Sequence, residues 1–222
     1  MIILIVVFVV LIGAILIFEN SNYNEIKYTT LANTSIGTVE MGVSGNVNAS
    51  KSIALITGIH PRETLSIEPE IQAAKEYGSD DVKIINYKVT VTDSPEDYKK
   101  GRANGESLVH DYVNPSIMKS DVDAVIISHS HIPEYGQGFY VATPEMDNAS
   151  VEIAKKINET WDFRYYPVTG SETYKSTSAV LVSKPIAQAG FPTFVYEVPE
   201  DVSESEVTDK TKELFDLIIN NL

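Results

Sequence analysis

Ala54-Leu55-Ile56-Thr57-Gly58-Ile59-His60-Pro61-Arg62-Glu63 is the stretch from which the rest of this chain is read. Its apolar start belongs to a buried strand, Ser52 to Thr57, that closes on Thr-Gly. A histidine and a carboxylate three residues apart follow at once. The run Glu63 to Tyr77, stopped by Gly78, predicts a helix beginning just after Pro61. On such a helix His60 and Glu63 lie about one turn apart and reach one point beyond the strand's C-terminal end. An imidazole and a carboxylate held that way suit a divalent metal such as zinc. The competing reading leaves Glu63 only a capping role at the helix N-terminus. What the other segments bring to the same edge decides between the two.

Working outward, Thr38 to Val43 reads as a short edge strand, and Val82 to Val91 and Phe163 to Val168 as further strands. Asp123 to Ser128 and Pro192 to Val198 are apolar enough for buried strands. Helices are predicted at Glu106 to Lys119, Asp147 to Thr160, Ala179 to Ala189 (closed by Gly190) and Ser203 to Leu222. Asn114-Pro115 should break or kink the first of these. Thr92 to Gly105, Ile132 to Pro144 and Thr169 to Ser178 carry Gly, Pro and Ser and read as loops. Strands alternating with helices predict an α/β domain with a mainly parallel sheet. Ligands in such folds sit beyond the C-terminal ends of the strands.

His60, His129 and Glu197 all fall at or near such ends. His129 leaves the strand Asp123 to Ser128, and His131 points to the same side only if that strand continues. Either histidine completes a His/Glu/His metal site, with His129 favoured because it sits closer to the strand end. Glu197 interrupts the apolar run Thr193-Phe194-Val195-Tyr196-Glu197-Val198. A carboxylate there is costly unless paired, hydrogen-bonded or beside a metal, the other reading being an alternating strand with Glu197 on a solvated face. Next to a metal-bound water it would act as general base and then protonate the leaving amine. His110 reads as a surface or packing residue.

Composition narrows the chemistry. The 222 residues include no cysteine, so thiolate catalysis, thiolate metal sites and disulfides are excluded, and any metal must be held by His and carboxylate. Only 4 histidines exist, which makes their positions informative. With 17 Lys plus Arg against 31 Asp plus Glu, the formal charge of -14 argues against nucleic acid as partner. Met1 to Phe18 carries no charged side chain and as a helix would span about 27 Å, close to a hydrocarbon core. A cleaved signal peptide competes with an uncleaved transmembrane anchor. The missing basic n-region and the lack of a clear cleavage site favour the anchor. Residues 19–36 then read as a polar stalk, and 37–222 as the folded domain. Asn-x-Ser/Thr sequons at Asn33, Asn48, Asn148 and Asn158 suit a domain facing outside the cytoplasm.

Gly58-Ile59-His60-Pro61-Arg62-Glu63 resembles the HxxE zinc motif of the zinc carboxypeptidases and of the succinylglutamate desuccinylase–aspartoacylase group. His129-Ser130 is similar to the family's third ligand, a histidine followed by Ser at the end of a buried strand. Glu197 is similar, in order and approximate spacing, to its catalytic glutamate. The resemblance covers about Ser52 to Glu197. It implies a three-layer fold, a mixed, mainly parallel sheet with helices on both faces. It also implies one zinc ion held by His60, Glu63 and His129, with Glu197 as catalytic base. Tyr174, on the loop before Ala179, is the counterpart of the family's mobile substrate-binding tyrosine. The Asn-Arg pair that grips a substrate's terminal carboxylate has no evident match between Glu63 and His129. Arg102 is the single arginine between Glu63 and His129. It either stabilises the oxyanion, binds a substrate carboxylate, or is a solvated loop charge. The implied activity is amide hydrolysis of a peptide. The alternatives are a deacylase acting on small N-acyl amino acids, or a binding domain that keeps the fold without catalysis.

Overall fold

The computed structural model describes residues 26–166 and 176–222 of the chain. Met1 to Phe18 and Tyr174 lie outside those residues. Among the described residues no helix is long and apolar enough to cross a membrane.

The described strands are β1 (Lys27–Asn33), β2 (Gly37–Ser44), β3 (Lys51–Thr57), β4 (Val82–Val91), β5 (Ala124–His131), β6 (Tyr140–Ala142), β7 (Arg164–Tyr165) and β8 (Thr193–Pro199). They form one mixed sheet in the order β1-β2-β4-β3-β5-β8-β6-β7. The centre, β4-β3-β5-β8, is parallel, whereas β1, β2 and β4 pair antiparallel and β6 runs antiparallel to β8. The helices are α1 (Glu68–Tyr77), α2 (Tyr98–Leu108), α3 (Asn114–Ile117), α4 (Asn148–Glu159), α5 (Lys184–Gln188) and α6 (Glu204–Ile219).

Period-two alternation along the central strands builds a core on each face. Ile53 and Leu55 of β3 join Ile126, Phe194 and Tyr196 under α1, α4 and α6. Ala54 and Ile56 join Val125, Ile127 and Val89 on the other face, under α2, α3 and α5. Strands buried on both faces have no polar positions to spare, and this is why β3 and β5 read as continuous apolar runs.

Several boundaries differ from the sequence reading, each for a physical reason. The stretch read as a stalk contributes β1, whose partly exposed, polar face is that of an edge strand. The helix expected from Glu63 begins at Glu68, after a single 3-10 turn at Thr64–Ser66. Pro69 takes the first-turn position, where a missing N–H costs nothing. Asn114-Pro115 does not end its helix. The chain passes from α2 through a π turn, Val109–Val113, into α3, with Pro115 in the unbonded first turn. β5 continues through His131, and the loop Ile132 to Pro144 contains β6.

The largest difference is α2, whose residues Tyr98 to Gly105 fall in the polar, Gly- and Pro-bearing stretch read as a loop, with the helix expected only from Glu106. Each glycine costs a helix about 1 kcal/mol relative to alanine. Asp97 caps the helix by accepting from the N–H groups of Lys99 and Lys100. The glycines themselves are what tertiary packing requires. A Cβ at Gly105 would lie 1.7 Å from Ile59 O, and one at Gly101 would lie 3.1 Å from Pro61 Cγ. One turn apart, they let α2 lie directly on the segment that carries His60.

Gly105→Ala, which helix propensity alone would favour, is therefore expected to destabilise the fold by about 3 kcal/mol, as overpacking does. Urea unfolding measures this, and a variant as stable as the parent would remove the close-contact account.

Candidate active site

β3 ends at Thr57 and Gly58 turns the chain at φ +79, where a Cβ would sit 2.1 Å from Val89 O. Ile59 is buried, and His60 to Glu63 form a tight turn closed by the Glu63 N–H donating to His60 O at 3.0 Å. The two residues therefore meet through a turn and not, as expected, along a helix.

Glu63 lies at the centre of the cluster. Its Oε1 is 2.8 Å from His60 Nδ1 and accepts from Arg102 Nη1 at 3.0 Å. Its Oε2 is 2.9 Å from His129 Nδ1 and accepts the Ser130 N–H at 3.4 Å. The two imidazole rings stand 4.5 Å apart, centroid to centroid. One ligand atom from each of His60, Glu63 and His129 falls within 4.8 Å of the others.

Both His60 nitrogens face carboxylate oxygens, Nδ1 at 2.8 Å from Glu63 Oε1 and Nε2 at 3.3 Å from Glu106 Oε1, and a carboxylate only accepts. A neutral His60 carries one ring hydrogen and so directs the lone pair of its other nitrogen at a carboxylate oxygen. Two such atoms repel unless a proton or a cation lies between them. This buried His/Glu/His set is the hard-to-borderline donor set that zinc takes. Without a metal, protons take its place. Burial works against a charged His60, but the Glu106 and Glu63 carboxylates outweigh it and raise its pKa. Burial likewise works against ionised Glu63. The His129 and His60 rings outweigh it and hold Glu63 well below the ordinary carboxylate range.

β5 and β8 are in register, placing Glu197 beside His129 on one side and Tyr140 of β6 on the other. Burial pushes the Glu197 carboxyl up to about 7; the His129 ring opposes this, the Glu63 carboxylate adds to it, and Arg102 opposes it again. His60, Glu63, Arg102, His129 and Glu197 all line one cleft of about 640 Å³.

Arg102 is on α2 and not on a loop. Besides its bond to Glu63, its guanidinium lies 5.4 Å from the centre of the Tyr98 ring. His131 points to the same face as His129 because β5 continues. Its Nδ1 lies 3.0 Å from Ile132 O and its Nε2 3.1 Å from Gly138 O, so its nitrogens face backbone carbonyls and not Glu63. His129 is thus the histidine brought to the cluster. His110 bonds Leu181 O at 3.0 Å, away from the cleft.

Sequence reasoning missed Glu106, Tyr98 and Tyr140. The signal for Glu106 was its spacing of four from Arg102, visible only once α2 is recognised as a helix. Tyr140 lay in a stretch read as loop.

No protein-family model and no curated protein matches the sequence. Solved structures do. A metallo-carboxypeptidase from Burkholderia cenocepacia superposes with TM-score 0.63 at 14% identity, over 94% of this chain and 68% of that one. The chain has the metallo-carboxypeptidase fold. The cell shape determinant Csd4 of Helicobacter pylori, solved with a bound tripeptide, has TM-score 0.55 at 11% identity, over 83% of this chain and 55% of that one. The chain spans 68% and 55% of the lengths of these two structures.

If this cluster binds metal as its geometry indicates, His60→Ala and His129→Ala each weaken zinc binding by at least about 100-fold, the loss expected for a direct ligand and not an outer-shell partner. His131→Ala should stay within about twofold. Chelator-competition titration reads all three, and a loss in His131→Ala comparable to that in His129→Ala would reassign the third ligand.

Proposed function

We propose that this chain is a zinc-dependent hydrolase that cleaves an amide bond in a peptide, as the carboxypeptidases do. The observation that carries the reading is the convergence of His60, Glu63 and His129 with Glu197 on a single cleft. His60, Glu63 and His129 would hold the ion. Zinc, when bound there, polarises the scissile carbonyl and makes water more acidic.

The remaining work falls to the chain's own side chains. Glu197, raised to about 7, is poised to take a proton from the attacking water and return it to the leaving amine. A carboxyl near that pKa does both jobs at neutral pH, which an ordinary surface glutamate does poorly. Arg102 brings its positive charge to the edge of the site and would stabilise the oxyanion as the carbonyl is attacked. Its bond to Glu63 also holds the metal-side carboxylate in place. Ala142 of β6 pairs with Val195 of β8, two residues before Glu197, and both line the cleft together with Ala179. Tyr174 is proposed to close on substrate, by its resemblance alone.

The tripeptide bound to Csd4 supports a peptide substrate. A location at the outer face of a membrane, with Met1 to Phe18 as anchor, belongs to the same proposal and is supported by the hydropathy of that run. A deacylase acting on small N-acyl amino acids is the second reading. It is favoured by the bond that ties Arg102 to Glu63, which holds that guanidinium away from a substrate's terminal carboxylate.

Hydrolysis of a peptide panel with free and amidated C-termini, beside N-acetylated amino acids, tests the reading. Zinc-dependent release of a residue from peptides is expected. Turnover of N-acyl amino acids alone would select the second reading, and no turnover by the zinc-loaded chain would remove both. Glu197→Gln should retain zinc and lose kcat by about 10²–10⁴-fold, the range for a general base. Glu197 works as base only when ionised, so kcat/KM should fall as pH drops through its pKa. A bound cation favours the carboxylate, placing that acid limb at or below about 7. An acid limb unchanged in the residual activity of Glu197→Gln would assign it to another group.

A further inference from the structure

The face of the sheet away from the cluster holds a buried carboxyl that the hydrolytic reading leaves unused. Ser128 and Tyr196 are register partners on β5 and β8, and each directly precedes a residue of the candidate site, His129 or Glu197. Alternation turns Ser128 and Tyr196 to the opposite face, under α1, α4 and α6. There Ser128 meets Glu70 of α1, whose carboxyl is fully buried. Glu70 Oε1 lies 2.7 Å from Ser128 Oγ, and its Oε2 has no hydrogen-bond partner among the described residues. Among those residues Glu70 forms no ion pair either.

Counting hydrogens sets the state of this carboxyl. Ser128 Oγ also lies 3.0 Å from Ser66 O, and a serine hydroxyl has one hydrogen. A backbone carbonyl only accepts, so that hydrogen goes to Ser66 O. The contact with Glu70 is then a full bond when Glu70 brings a hydrogen of its own. An ionised Glu70 would compete with Ser66 O for the same hydrogen, buried without a cation and with one oxygen unbonded, which is costly. Burial pushes the Glu70 carboxyl well above the ordinary carboxylate range; the Ser128 bond opposes this and the Glu197 carboxylate adds to it. One step further along, Ser66 Oγ donates to Glu63 O at 2.9 Å. Three bonds in series therefore run from Glu70 through Ser128 and Ser66 to the backbone of Glu63. They tie the turn that carries one residue of the cluster to the strand that carries another.

We propose that Glu70 is a positioning residue: it stays neutral, donates its O–H to Ser128, and so leaves Ser128 to fasten the Glu63 turn to β5 beside His129. The inference rests on the zinc reading above. Loss of a group bonded directly to a metal ligand weakens metal binding by roughly 10–100-fold. Glu70 stands further out and acts through Ser128 and Ser66, so a smaller loss, about 3–10-fold, is expected of it. A Glu70 that only filled the core would change stability and leave zinc affinity where it was.

The test measures zinc affinity by chelator competition, and infrared spectra of the zinc-loaded chain at neutral pH. Glu70→Leu, of similar size but without a donor, and Ser128→Ala are each expected to weaken zinc by about 3–10-fold. The double variant should lose no more than the larger single loss, as members of one chain of bonds do. Glu70→Gln keeps an N–H donor for Ser128 and cannot ionise, so it should bind zinc within about twofold of the parent. The parent should show a protonated-carboxyl band that persists in Glu197→Gln and is lost in Glu70→Gln. If Glu70→Leu does not fold, Ser128→Ala, Glu70→Gln and the infrared band decide. With the parent binding zinc tightly, three results overturn the inference and leave the functional reading standing. They are unchanged affinity in Glu70→Leu and Ser128→Ala, a loss in Glu70→Gln as large as in Glu70→Leu, and the absence of that band. A parent chain that takes up no zinc removes both.

Discussion

The Glu63 carboxylate, facing one imidazole from each oxygen, is the constraint on which the rest of the site depends. A buried anion between two rings is tolerable only if positive charge is supplied at close range, by ring protons or by a metal ion. Everything nearby serves that balance. Arg102 adds a cation on one side of the carboxylate, Ser130 adds a backbone N–H on the other, and Glu106 holds the far nitrogen of His60. A second carboxylate, Glu197, is pushed up to about 7 chiefly by burial, with the Glu63 carboxylate adding to the shift. The proximity of two carboxyl groups with opposite shifts is how one cleft can both hold a cation and move a proton.

Why the chain delivers these groups to one place follows from its sheet. Parallel strands end on a common edge, and β3, β5 and β8 are neighbours there. His60 follows the end of β3, and His129 and Glu197 are direct register partners near the ends of β5 and β8. Little loop structure is needed to assemble the cluster. The helix α2 completes the site from outside the sheet, and its two glycines set how near it can come.

Much of this was legible in the residues. The central strands could be read because burial on both faces leaves an unbroken apolar run, and a lone charge or histidine in such a run stands out. Glu197 was picked out that way, and His60, Glu63 and His129 as residues that follow the ends of such runs. What was not legible is where local preference and tertiary packing disagree. Gly101 and Gly105 argue for a loop by propensity, and the close approach to Ile59 and Pro61 overrides them. The polar face of β1 hides an edge strand, and Pro115 hides a helix that continues through a π turn. Glu106 stood at the start of an expected helix, and its tie to the cluster shows only once that helix extends back through Arg102.

Diffraction from crystals grown with zinc, collected on both sides of the zinc absorption edge, tests the central claim most directly. The account predicts one strong anomalous peak bounded by His60 Nδ1, the Glu63 carboxylate and His129 Nδ1. No peak at that position, with the three side chains still bonded to one another, would contradict it.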